Sequence, residues 1–199
     1  MRVWLGAAVA ILVATLSAQD AATSGSLERP FSANGSVNMD LVAGDYHVTG
    51  SPVDRVRIDW SVREPEALAK VRARADVQGR ELSITTDGPS NKGLTFTIQI
   101  PAQTDLHVRM SAGDLTIEDV RGNKNVELRA GDLRIDVGRA EDYNKVDASL
   151  WAGDITARPF GVSKGGLFRS FDWTGPGPFR LHAHLMAGDL DLYSKAEAR

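Results

Sequence analysis

Five aspartates, Asp45, Asp114, Asp132, Asp154 and Asp189, each close the same phrase, Ala-Gly-Asp. Carboxylates repeated in one context can do three things. They can ligate a hard cation such as Ca²⁺, serve as acid and base on a polysaccharide, or accept backbone N–H groups where the chain turns. Two imidazoles, His182 and His184, add a candidate transition-metal pair. On a strand they would share one face about 7 Å apart, wide for one ion unless the side chains converge. No G-x-S-x-G, H-E-x-x-H or P-loop phrase occurs, and there is no cysteine. The sequence therefore offers no catalytic residue to nominate, and a non-enzymatic protein is expected.

Spacing separates the three uses. With the five phrases aligned at Ala43, Ala112, Ala130, Ala152 and Ala187, the residues two before are Leu41, Met110, Leu128, Leu150 and Leu185. Three after stand Tyr46, Leu115, Leu133, Ile155 and Leu190. The columns four before and five after are apolar as well, and the columns between are mostly polar. Period-two alternation predicts half-buried strands. The parity slips at each Gly-Asp, so the chain must bend there while keeping one face inside. Glycine supplies the backbone freedom and aspartate the cap. Gly44, Asp45, Gly113, Asp114, Gly131, Asp132, Gly153, Asp154, Gly188 and Asp189 are thus expected to be structural corners. If copies stack, Asp114, Asp132 and Asp154 come within about 5 Å of one another. This makes a calcium-stabilised stack the alternative, with no cofactor the first expectation. His182 and His184 complete the metal candidates.

The glycines recur at intervals of 69, 18, 22 and 35 residues. Intervals near 20 suit a solenoid in which each coil buries its face against its neighbours. Turns at 121–125 and 138–145 keep a β-meander or sandwich open. Upstream, 31–100 alternates more loosely, with one or two helical turns expected at 64–70, whereas 101–193 is regular. The last interval is stretched by 161–179, rich in glycine and aromatics. There Phe168, Phe171 and Trp173, with Trp151 nearby, are expected either to plug the end of the stack or to bind a partner.

Residues 1–18 carry one arginine and an apolar run too short for a comfortable membrane span, the layout of a signal peptide cleaved near Ser17 or Ala18. Residues 19–30 are expected as a flexible leader and 31–199 as one domain. With 23 basic against 26 acidic residues and no basic block, nucleic acid is not an expected partner. The absence of cysteine leaves an exported domain to be held by packing alone.

The "IQIP" strand end, "QTDLHVRM", the serial "GDL-x-I" units and the closing "GPGPFRLHAHLMAGDLDLY" resemble the bacterial β-strand-repeat proteins known as candidate adhesins, a toastrack-type family of unknown function. The resemblance covers most of 31–193. It implies an all-β fold, a right-handed β-helix-like stack, and an adhesin-like or envelope-stress module in the periplasm or outside the cell. It carries over no catalytic residue. The implied partner is an envelope protein or glycan, and no second membrane segment is expected.

Overall fold

A computed structural model of the chain describes residues 23–89 and 93–195; the expected signal peptide and residues 19–22 of the leader lie outside them. The first strands are β1 (Ser24–Pro30), β2 (Gly35–Leu41), β3 (Asp45–Ser51) and β4 (Arg55–Ser61), followed by the short helix α1 (Pro65–Leu68). Next come β5 (Arg72–Gln78), β6 (Glu81–Asp87), β7 (Thr95–Pro101), β8 (Thr104–Ala112) and β9 (Leu115–Glu118). The regular part continues with β10 (Lys124–Ala130), β11 (Leu133–Asp136) and the long β12 (Tyr143–Ala157). It closes with β13 (Val162–Thr174), β14 (Phe179–Ala187) and β15 (Leu190–Tyr193). The fold is all-β.

The strands before the Gly-Asp phrases pair in parallel with one another, in the order β2, β8, β10, β14 and the first half of β12. Those after the phrases do the same: β3, β9, β11, β15 and the second half of β12. The register aligns Ala112, Ala130, Ala187 and Ala152 side by side. Because β12 runs unbroken through its corner, the two parallel halves join there into one sheet. All four apolar columns of the repeat are buried and belong to one core. At about 1.5–3 kcal/mol for a buried Val, Leu or Ile, this repetition supplies the driving force that a cysteine-free domain needs.

Spatial order departs from chain order at one point. The closing copy, β14–β15, inserts between the third copy and β12, so the fourth and fifth copies are exchanged along the sheet. The cause is β13. It returns antiparallel along β12 from Lys145↔Thr174 to Ala157↔Val162 and occupies β12's outer edge. Only the inner edge remains for β14. Residues 161–179, expected to interrupt the stack, are thus largely a strand. Gly166 (φ +114°) lies opposite Gly153, so β13 follows the bend of its partner.

At the other end β6 and β7 extend the two halves, and β4, β1 and β5 add antiparallel strands beyond them. β1 and β5, the ends of the sheet order, touch. Ser24–Pro30, expected as flexible leader, is β1. Its small polar residues suit an exposed edge strand, and its backbone pairs with β4 across seven residues. The expected helical turn is α1, which buries Ala67. Among the described residues no helix is long and apolar enough to cross a membrane.

Candidate binding surface

The corners come first, because they decide what the aspartates are free to do. Gly113, Gly131, Gly153 and Gly188 have φ between +106° and +134°. A Cβ on each would overlap the backbone of the neighbouring corner glycine, in the row 44, 113, 131, 188, 153. The N–H groups of Gly113, Gly131 and Gly188 donate to the alanine carbonyls of the next copy at 2.9–3.0 Å. Gly44 lacks the positive φ; a Cβ there would press on the Leu94 carbonyl. Its outer neighbour is Leu94 rather than another Gly-Asp corner, and the Asp45 N–H donates to Leu94 O at 2.9 Å.

The carboxylates form a ladder along these corners. Asp114 Oδ1 accepts the Asp132 N–H at 3.3 Å, Asp132 Oδ1 accepts the Asp189 N–H at 3.0 Å, and Asp189 Oδ1 accepts the Asp154 N–H at 3.0 Å. Each of these side chains caps the next corner. The expected neighbours Asp132 and Asp154 are separated by Asp189, a consequence of the inserted closing copy. His182 and His184 share an outward face but turn to different partners: His182 Nδ1 to Asp147 at 3.2 Å, His184 Nδ1 to the Ser149 hydroxyl at 2.8 Å. Among the described residues no three His, Cys, Asp or Glu side chains form a set able to hold a metal ion.

A groove of about 770 Å³ lies where the chain turns between copies. Its four aspartates are already engaged. Asp105 takes the Asn123 backbone N–H and side-chain amide, Asp119 the Lys195 ammonium, Asp136 the Gly138 and Lys195 N–H groups, and Asp142 the Arg139 guanidinium. Beneath this region is a residue the sequence did not single out. Lys124 points inward at a position where its neighbours on the adjacent strands are Leu106 and Leu181. Its Nζ donates to the Tyr143 hydroxyl at 2.9 Å and the Gly122 carbonyl at 3.3 Å. Burial pulls its pKa down to about 8, and the charges of Asp136, Asp105 and Asp142 oppose that shift. Burial likewise pushes the Tyr46 and Tyr143 hydroxyls above their ordinary range.

The aromatics of the 151–179 region divide into two sets. Phe171 is buried and Trp173 half-buried. Both rings lie against Phe160, at 6.2 and 5.0 Å, and Phe160 meets Tyr143 at 6.4 Å. This set covers the end of the core. Phe168 stands apart: it is 74% exposed, with Trp151 52% exposed, and their ring centroids are 5.9 Å apart. Phe168 also has φ +53°, a conformation that costs a bulky residue of order 1–3 kcal/mol and concentrates at functional sites. Leu167, which pairs with Ala152, and Met186 are exposed as well. Met186 occupies the outward position just before its corner, as Trp151 does in its own copy, and the two strands are neighbours. That column was the signal by which Met186 could have been found.

No family model matches the chain, and no curated protein matches it. Solved structures do. A candidate cell adhesion protein from Clostridium sporogenes matches with a TM-score of 0.53 at 12% identity, over 86% of this chain and 100% of that one. The two share a fold. Candidate adhesins from Parabacteroides merdae (TM-score 0.29, 14% identity, 86% and 96% covered) and Bacteroides fragilis (TM-score 0.29, 10% identity, 85% and 97% covered) are also similar in structure.

Proposed function

We propose that this protein is an exported, non-enzymatic interaction module of the cell envelope, adhesin-like, built as a right-handed β-helix-like stack with capped ends. One observation carries the reading: Trp151 and Phe168 are exposed with their rings 5.9 Å apart, and the exposed Met186 holds the corresponding outward position on the neighbouring strand, all at the β12–β13 end of the sheet. Rigid exposed aromatics supply much contact area at low entropic cost, and such clusters mark binding sites. Three of the aspartates that drew attention as chemistry, Asp114, Asp132 and Asp189, serve the scaffold, since their oxygens hold backbone N–H groups. The name of the Clostridium protein supports the reading, as do the signal-peptide-like residues 1–18.

The test is retention by the envelope fraction of cells expressing the chain, with crosslinking to capture the partner. Trp151→Ala with Phe168→Ala is expected to abolish retention while the melting temperature moves by less than about 2 °C, as for exposed positions. Unchanged retention in the double variant would refute the assignment of this surface.

A further inference from the structure

The exposed row continues into a trough. The outward residues just before the corners are, in spatial order, Val42, Ser111, Arg129, Met186 and Trp151, with Phe168 beyond. The next outward row reads Asp40, Arg109, Glu127, His184 and Ser149. Between these rows runs a shallow depression of about 530 Å³, bounded on the far side by Thr86 and on the near side by Met186. Six adjacent strands at about 4.8 Å make the line from Val42 to Phe168 about 24 Å long. That shape suits an extended polymer laid across the strands, ending on the ring pair.

We infer that the trough binds a neutral polysaccharide chain, with sugar rings stacked on Trp151 and Phe168. The inference rests on the reading of this row as the docking surface and names the class of partner. Charge carries the choice. The trough holds Arg109 and Arg129 against Asp40 and Glu127, so its fixed charges cancel, and Arg109 lies 3.7 Å from Glu127. A polyanion or polycation would set half of these groups against like charge. Hydroxyls, each both donor and acceptor, answer guanidinium and carboxylate alike. The two rings are tilted by 30° at 5.9 Å, a platform for the apolar faces of successive sugars along an extended chain. A protein partner fits less well, because a single row of apolar side chains is far narrower than the roughly 800 Å² per side of a stable interface.

The experiment uses the chain as recovered from expressing cells, with cellohexaose and hexa-N-acetylchitohexaose as neutral probes, a galacturonate hexamer as acidic probe and cellobiose as short probe. Tryptophan emission and calorimetry report binding. The neutral hexamers are expected to bind at least about tenfold more tightly than cellobiose. Trp151→Ala should weaken them at least about tenfold, and Arg129→Gln by a smaller factor, with melting unchanged. Absence of binding by both neutral hexamers, preference for the galacturonate hexamer, or unaltered affinity in Trp151→Ala would each overturn the inference. Envelope retention measured in parallel separates the two readings. Trp151-dependent retention without oligosaccharide binding refutes the polysaccharide and leaves a protein partner on this surface. Retention and oligosaccharide binding that are both unaltered in Trp151→Ala refute the surface itself.

Discussion

Gly131→Val is the sharpest perturbation of the scaffold. Gly131 sits at φ +124° in the middle of the corner row, and a Cβ there would overlap the Gly113 carbonyl group. The conformation alone costs an L-residue about 1–3 kcal/mol. Relieving the overlap requires the corner to move, which weakens the Gly113 N–H bond to Ala130 O at 2.9 Å and the Gly131 N–H bond to Ala187 O at 2.9 Å. At about 1 kcal/mol each, the total is about 3–5 kcal/mol, a large fraction of the roughly 5–15 kcal/mol that holds a domain together. Gly138→Ala is the control. Gly138 has φ +66°, and a Cβ added there would meet nothing within 4 Å, so the substitution costs only backbone strain, about 1 kcal/mol. Urea titration of both variants reads the difference directly. If Gly131→Val loses no more stability than Gly138→Ala, close stacking of the corners is not what fixes glycine there.

Four further outcomes follow from the same geometry. Asp132→Ala leaves the Asp189 N–H without its acceptor and should cost about 0.5–2 kcal/mol, equally in calcium and in chelator; a loss confined to calcium would make the ladder an ion site. Trp173→Ala should cost about 2–4 kcal/mol by opening the end cluster around Phe160, whereas Trp151→Ala stays within about 0.5 kcal/mol, both read by thermal melting. Lys124 loses its proton near pH 8 when folded and near its ordinary value of about 10.4 when unfolded. The unfolded chain therefore binds more protons between those values, and stability should rise from pH 8 to about 10, then fall as the unfolded tyrosines ionise while Tyr46 and Tyr143 stay protonated. Lys124→Met should flatten the rise. If residues 1–18 act as a signal peptide, mass spectrometry of the chain recovered from expressing cells should find an N-terminus near Ala18 or Gln19.

Much of this architecture is legible because the five copies agree. Leu41, Met110, Leu128, Leu150 and Leu185 sit in one column of the sequence and in one layer of the core, since period two and a single slip at Gly-Asp leave no other face to bury. Interchangeable copies also hide their spatial order. Nothing in "LWAGD" or "LMAGD" tells β12 from β14 as the neighbour of β10, and the exchange is decided by β13 claiming an edge. β13 itself is obscured by Gly165, Gly166 and the left-handed Phe168, which break its alternation where it follows the bend. β1 is obscured for a different reason: an exposed edge strand buries too little to show a pattern. Lys124 escapes notice because a charged residue at an inward position contradicts the period that identifies the strand, and only Tyr143, nineteen residues on, explains it.

The candidate surface is half visible in the sequence. Trp151 and the 161–179 aromatics draw attention by type, but type does not separate Phe171 and Trp173, which close the core, from Phe168, which faces solvent. The pairing of β12 with β13 makes that division, opposing Ala148 to Phe171 on the core side while the rings of Trp151 and Phe168 meet outside.

Photocrosslinking in living cells tests the central claim most directly, with one photoreactive phenylalanine analogue placed at position 168 and, in a second strain, at Val77, an exposed apolar residue on the edge strand β5. An envelope component captured from position 168 and absent from position 77 is the predicted result. Capture from 77 with nothing from 168, or equal capture from both, would contradict the assignment of the Trp151–Phe168 end as the surface by which this protein binds.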